Sequence, residues 1–169
     1  MPETRKHIVA VYPGSFDPVT HGHLNVIERA SGLFNELVIG IGQNPDKRQF
    51  FTPQERKEMM QPHISALPNV RAETYEGLTI DFVRSLGGRV LVRGIRDAAD
   101  LNSEMQQATV NQMIGGIETI FLMTSDKYAL ISSSLVKQIV QLGGDQSRVE
   151  RLVPENVAAA MAAKLGERA

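Results

Sequence analysis

A chain of 169 residues, 42% apolar, 22% charged and carrying a net charge of −1, has no global field to recruit nucleic acid or an anionic membrane, so any basic chemistry must be local. The lack of cysteine excludes disulfides, thiol nucleophiles and zinc–thiolate sites. No run approaches the ~20 apolar residues of a membrane span, and the apolar run behind Arg5-Lys6-His7 stops at Pro13, too short for a signal-peptide core; the expectation is a cytoplasmic protein.

Apolar, β-rich runs fall at 7–12, 37–42, 70–75, 90–92 and 117–123, with helical spacing between them. This alternation predicts a parallel sheet with crossover helices. Val38-Ile39 and Ile120-Phe121-Leu122 lack strict alternation, as expected of strands covered on both faces. Thr52-Pro53-Gln54-Glu55 reads as a capped helix start with proline at the first position. Gly-Gly pairs at 87–88, 115–116 and 143–144 sit where helices need left-handed caps. Pro154-Glu155 opens a last alanine-rich helix over about 154–165, expected on the outside. The expected architecture is one domain over 1–169, Rossmann-like and doubly wound, with a five-stranded parallel sheet and helices on both faces.

Ligands bind such sheets at the carboxyl ends of the strands. After the first strand comes Tyr12-Pro13-Gly14-Ser15-Phe16-Asp17-Pro18-Val19-Thr20-His21-Gly22-His23, a glycine-bearing turn leading into a helix. Unpaired amides and a partial positive charge at a helix start suit a phosphate. His23 is read as active at this turn and His21 as solvated; two histidines without a third ligand nearby do not make a metal site. The chain has no G-x-x-x-x-G-K-[ST] loop, and Gly40-Ile41-Gly42-Gln43-Asn44-Pro45 carries proline where a dinucleotide fingerprint needs its third glycine.

Asp46-Lys47-Arg48 is either a solvated loop or a lysine able to reach a transferring phosphoryl group. Arg93-Gly94-Ile95-Arg96 offers two guanidiniums beside exposed amides, suited to bidentate phosphate binding; the bland alternative is salt-bridging to Asp97 or Asp100. Ser132-Ser133-Ser134 opens a helix. One serine is enough for an N-cap, and three exceed what capping needs.

Together these motifs resemble the nucleotidyltransferases of the T/H-x-G-H superfamily and, within it, the bacterial phosphopantetheine adenylyltransferases. The resemblance is carried by residues 12–23, by Lys47 ahead of Phe51-Thr52-x-x-Glu55-Arg56, by Val92-Arg93-Gly94-Ile95-Arg96-Asp97, Asp100 and Glu104-Met105, and by the segments 131–137 and 152–157. Leu101-Asn102 and Tyr128 depart from the family pattern. The resemblance implies a Rossmann-like fold and transfer of AMP from ATP to 4′-phosphopantetheine, with release of pyrophosphate. It implies ATP contacts at Ser15, Phe16, His23, Gly94, Ile95, Arg96, Glu104 and the run Tyr128, Ala129, Leu130, Ile131, Ser132, Ser133 and Ser134. Ser15, Lys47, Thr79 and Arg93 would meet the acceptor. It further implies magnesium held chiefly by ATP, a homohexamer, and coenzyme A as a feedback ligand. On that basis His23 and Lys47 attend the α-phosphate, Arg93 steadies the incoming phosphate, and Ser133 and Ser134 receive the β- and γ-phosphates. The nearest rivals are a mononucleotide adenylyltransferase, a cytidylyltransferase and a non-catalytic nucleotide sensor; a nucleic-acid module fits worse.

Overall fold

In the computed structural model, which describes residues 7–43 and 48–166, five parallel strands form one sheet: β1 (Val9–Gly14), β2 (Glu36–Gly42), β3 (Val70–Tyr75), β4 (Val90–Ile95) and β5 (Glu118–Met123), in the order β3-β2-β1-β4-β5. The chain winds outward from β1 to β3, then returns to β4 and β5 on the other side, so the strand order switches between β1 and β4.

Helices α1 (His21–Ser31) and α2 (Pro53–Ile64) join the first three strands, and α3 (Thr79–Ser85) and α4 (Ala98–Gly115) the last connections. Right-handed crossovers place these two pairs on opposite faces. The helices α5 (Ser133–Gln141), α6 (Gln146–Val149) and α7 (Glu155–Gly166) follow β5. The larger core joins Val26, Ile27 and Ala30 of α1 to Met60 and Ile64 of α2, Val136 and Val140 of α5, and Val157 and Met161 of α7. The smaller one, on the other face, gathers Val11, Val38, Ile80, Val83, Leu91 and Ile117.

Local chemistry sets the element ends. Thr52 Oγ1 accepts the Glu55 amide at 3.2 Å, and Glu55 accepts the Thr52 amide at 2.6 Å, closing the expected capping box. The αL turn that closes α4 falls on Gly116 (φ 60°), whose N–H donates to the Gln112 carbonyl at 2.8 Å.

Two expectations need correction. β2 is covered on both faces, with Leu37, Val38, Ile39 and Ile41 wholly buried, but β5 is an edge strand and its Ile120 is 39% exposed. Apolar continuity marks a buried strand only when another strand or layer lies on each side. Second, β1 extends through Pro13-Gly14 and β4 through Arg93-Gly94-Ile95. Glycine and proline there read as turn signals, yet each strand keeps its outer neighbour: Gly14 stays in register with Ile41 and Ile95 with Met123.

Candidate active site

The same registers create the site. β1 and β4 pair only at Ala10↔Val90 and Val11↔Leu91 and then part at the switch point, where open α/β sheets bind ligands. A cavity of about 260 Å³ lies in the gap, lined by the β1–α1 turn, the end of β4, the first turns of α4 and the start of α5.

In the β1–α1 turn, Phe16 adopts a left-handed backbone (φ 47°) and is 2% exposed. Its ring packs edge-on against Tyr12 and His23, with centroids 5.3 and 5.1 Å away. A Cβ on Gly14 would stand 2.9 Å from that ring, so glycine is required. Phe16 thus lines the cavity with its ring packed into the core, and Ser15 beside it is exposed.

Thr20 caps α1, and His23 occupies the place of the usual glutamate or glutamine of a capping box. The Thr20 N–H donates to His23 Nδ1 at 3.1 Å, and Thr20 Oγ1 accepts the His23 amide at 3.4 Å. With Nδ1 accepting, the neutral ring carries its proton on Nε2, as a donor lining the cavity. Burial, reinforced by Arg96 and Arg93, pulls the His23 pKa down to about 4. The ring is thus neutral in the free protein.

Other first-turn amides of α1 are engaged: His21 N–H on the Leu152 carbonyl at 3.1 Å and Leu24 N–H on Thr20 at 3.1 Å. Gly22 alone among them faces the cavity with its amide unclaimed by the described residues. His21, expected to be solvated, is only partly exposed and has partners. Its Nε2 lies 3.1 Å from the Glu150 carbonyl and its ring 6.1 Å from that of Tyr128.

Both arginines at the end of β4 are held by carboxylates on α4. Arg93 makes a fork with Glu104 at 2.5 and 2.6 Å and donates to the Pro13 carbonyl at 2.9 Å, bridging β1 and β4 where they part. Arg96 makes a fork with Asp100 at 2.7 and 2.9 Å. The salt bridge weighed for Arg96 therefore exists, but it fixes the guanidinium at the cavity. Burial opposes the charge on Arg93, and Glu104 more than offsets it, holding Arg93 above its ordinary pKa. Pairing with Asp100 raises Arg96, and the same pair holds Asp100 below the usual carboxylate range. Below them the Tyr12 hydroxyl, buried, is pushed up to about 12 and stays protonated.

The serine run divides its labour. Ser132 Oγ accepts the Leu135 amide at 3.1 Å as the N-cap of α5, and Ser133 Oγ donates to the Pro18 carbonyl at 2.8 Å. Ser134 keeps its hydroxyl unclaimed among the described residues, and the first amides of α5 have no intrahelical acceptor. All three serines and Ile131 line the cavity.

The remaining sequence-derived positions scatter. Ile95 is fully buried and Leu130 is 88% exposed, while Tyr128 lines a different pocket with His21. Neither they nor Ala129 line the main cavity. Lys47 lies outside the described residues. Thr79 lines a smaller adjoining cavity of about 80 Å³ that shares Pro13, Arg93 and Glu104 with the first, and its Oγ1 is 2.9 Å from the Tyr75 hydroxyl. Thr119 Oγ1, in the same small cavity, is the one buried side-chain polar atom among the described residues without a partner. Thr119 carries no sequence signal, because it sits on a strand where ordinary β propensity explains it; Tyr12, at the head of the first motif, and Thr124, just after β5, also line the main cavity.

Anion-binding groups thus converge from three segment ends on one cleft at the switch point, and this is the arrangement of an α/β nucleotidyltransferase. Residues 11–139 match the cytidylyltransferase-like family. The chain is 50% identical over 160 residues to a phosphopantetheine adenylyltransferase of Rhodopirellula baltica, covering 94% of this chain and 89% of that one. It is 44% identical to that of Heliobacterium modesticaldum, covering 94% of each. Among solved structures, a Plasmodium falciparum nicotinic acid mononucleotide adenylyltransferase complexed with NaAD superposes with a TM-score of 0.69 at 14% identity, covering 96% of both chains; this likeness shows the fold. The chain belongs to the cytidylyltransferase-like family and, within it, to the phosphopantetheine adenylyltransferases.

Proposed function

We infer that the chain transfers the adenylyl group of ATP to 4′-phosphopantetheine, giving dephospho-coenzyme A and pyrophosphate in coenzyme A biosynthesis. The observation that carries this reading is the pair of adjoining cavities sharing Arg93 and Glu104. One suits the nucleotide phosphates. The other, floored by the unpartnered Thr119 hydroxyl, suits the amide-bearing arm of the acceptor, with the two phosphates meeting at Arg93.

The acceptor phosphate oxygen attacks the α-phosphorus as the bond to the pyrophosphate oxygen breaks. A phosphate monoester is largely dianionic at pH 7, its second pKa being about 6, so no general base is needed. The chain's task is to bring anions together and stabilise the charge that develops. His23 donates from Nε2 at the α-phosphate, where the motif also assigns Lys47. Arg93 meets the incoming phosphate. Arg96, Ser134 and the amides of Gly22 and the α5 start receive the β- and γ-phosphates, and Ser15, Phe16 and Gly94 contribute main-chain contacts. Asp100 and Glu104, the carboxylates at the cavity, are both taken by arginines, so magnesium would be held by the ATP phosphates and not by these side chains, and would supply charge neutralisation at the leaving pyrophosphate. Coenzyme A, which contains the product's structure, competes for the same cavities. Among the described residues no helix is long and apolar enough to cross a membrane, and we assign the enzyme to the cytoplasm.

The test is pyrophosphate release from ATP or CTP with 4′-phosphopantetheine or nicotinate mononucleotide as acceptor. Release is expected only with ATP and phosphopantetheine. Release with the mononucleotide alone would reassign the acceptor, and none with any pair would make this a nucleotide sensor.

Along α4, Met105, Val110, Met113 and Ile114 are each more than half exposed, and Ile120 and Met123 of β5 are exposed as well. A monomer rarely leaves so many large apolar side chains in water, and this surface supports self-association into the homohexamer. Met113→Glu with Ile114→Glu is expected to shift the sedimentation coefficient from that of the assembly to that of a smaller species. An unchanged assembly would place the contact elsewhere.

A further inference from the structure

Asp17 is 5% exposed and takes no part in the chemistry above, yet its carboxylate is the hub of a buried network. Oδ2 accepts the Phe50 amide at 2.8 Å and Oδ1 the Phe51 amide at 2.9 Å. Lys137, one turn beyond Ser133 and Ser134 on α5, places Nζ 3.5 Å from Oδ2. Behind it lies Arg56, 1% exposed. The Arg56 guanidinium donates to the Ser15 carbonyl, to that of Gly42 at 3.0 Å and to that of Thr52 at 3.3 Å.

None of these three side chains lines the main cavity, but the segments they join all reach it or flank it. Asp17 follows Ser15 and Phe16 and precedes the Thr20–His23 cap; Lys137 belongs to the serine helix; Phe50 and Phe51 lead into α2. A buried carboxylate is costly unless paired and hydrogen-bonded, and here two amides and Lys137 compensate it directly, with the charge of Arg56 adding electrostatically. An apolar side chain of similar size often stabilises a fold as well as a buried ion pair does, so what the charge supplies beyond that is a fixed relation between segments.

We propose that Asp17 is a positioning residue for adenylyl transfer, which fixes the histidine-bearing turn to the serine-capped helix through Lys137 and to the entry of α2 through the Phe50–Phe51 amides. The inference rests on the reading that His23 and the α5 start meet the ATP phosphates. Misplacement by about 1 Å is enough to cost ~10²-fold in rate.

Asp17→Asn keeps the shape but turns an NH₂ toward one donor and removes the charge facing Lys137. We expect kcat to fall ~30-fold, with ATP affinity by calorimetry held within about threefold because the phosphate ligands remain. Lys137→Met is expected to lower kcat in the same way, and the double variant to be no slower than Asp17→Asn alone, since both break one link. Met161→Ala, a core truncation away from the site, supplies a stability-matched control with kcat unchanged. Wild-type kcat in folded Asp17→Asn, multiplicative losses in the double variant, or a kcat loss in Met161→Ala matching that of Asp17→Asn would each overturn the proposal. If Asp17→Asn does not fold, Lys137→Met decides: lower kcat at unaltered ATP affinity supports it and wild-type kcat overturns it. Wild-type kcat in Asp17→Asn beside a damaged His23→Gln removes this inference alone, whereas wild-type kcat in His23→Gln removes the reading beneath it.

Discussion

His23→Gln is expected to lower kcat for pyrophosphate release by ~10²–10³ while leaving ATP affinity and thermal stability close to those of the parent. The choice of glutamine follows from the structure. Because His23 fills the third position of a capping box, glutamine can still accept the Thr20 amide but loses the ring donor on the cavity side. His23→Ala loses both. It should match His23→Gln in kcat and in addition be destabilised by about 1 kcal/mol, the usual cost of a lost cap bond. Equal kcat losses with unequal melting temperatures identify the Nε2–H as the active part. A drop in ATP affinity equal to the drop in rate would instead make His23 a ground-state contact.

The pH behaviour follows from the ring's pKa of about 4 in the free protein. The acid limb of kcat/KM reports groups on free enzyme and free substrate. His23 stays neutral down to about pH 5, so that limb belongs to the acceptor phosphate, near pH 6. Replacing His23 should therefore lower the plateau without moving the limb. The sign for stability is opposite to that of a histidine paired with a carboxylate. The unfolded ring takes up a proton near pH 6.5 and the folded one not until about 4, so acidification across that window favours unfolding, and His23→Gln removes this contribution. A His23 imidazole that titrates near 6.5 by NMR in the folded, ligand-free protein would overturn this assignment.

How much of this was legible in the sequence depends on how local each cause is. The capped start of α2 and the left-handed turns at Gly87, Gly116 and Gly143 are near-neighbour effects, and the structure has them. The alternation of strand and helix likewise gave the doubly wound sheet. The edge position of β5 was not legible, because apolar content does not report what lies beside a strand. Nor were the partners of the arginines fully visible. Asp100, four residues from Arg96, is near enough in sequence to suggest the pair; Glu104, eleven residues from Arg93 and met only because α4 folds back over β4, resembles a nucleotide contact by motif and has its carboxylate engaged by Arg93. The serine run shows an excess over capping needs, but only the packing of α5 on the β1–α1 turn separates the cap, the tie to Pro18 and the hydroxyl without a partner among the described residues. Asp17, Arg56 and Lys137 stand within the motifs that carried the resemblance, yet their contacts are 120 residues apart in chain for Lys137 and Asp17, beyond any local pattern.

Arg93 supplies the second large effect, and its sign can be tested through its partner. Arg93→Ala removes the group assigned to the incoming phosphate and also strands the Glu104 carboxylate, whose side chain is 17% exposed, beside the path of a dianion. Both losses act in the same direction, and kcat/KM for phosphopantetheine is expected to fall by ~10³ or more. Glu104→Gln in the Arg93→Ala background removes the stranded charge and should recover part of that loss, making the double variant faster than the single one. Arg93→Lys tests geometry instead of charge. A single ammonium cannot hold both Glu104 oxygens and the Pro13 carbonyl while facing a phosphate, whereas the planar fork of arginine can, so lysine should restore only a small part of the activity. In all three variants the KM for ATP should change less than that for the acceptor, since Arg96, the α5 start and Gly22 remain. A double variant slower than Arg93→Ala would show that Glu104 serves the nucleotide directly, and equal damage to both KM values would place Arg93 between the substrates as a structural tie across β1 and β4.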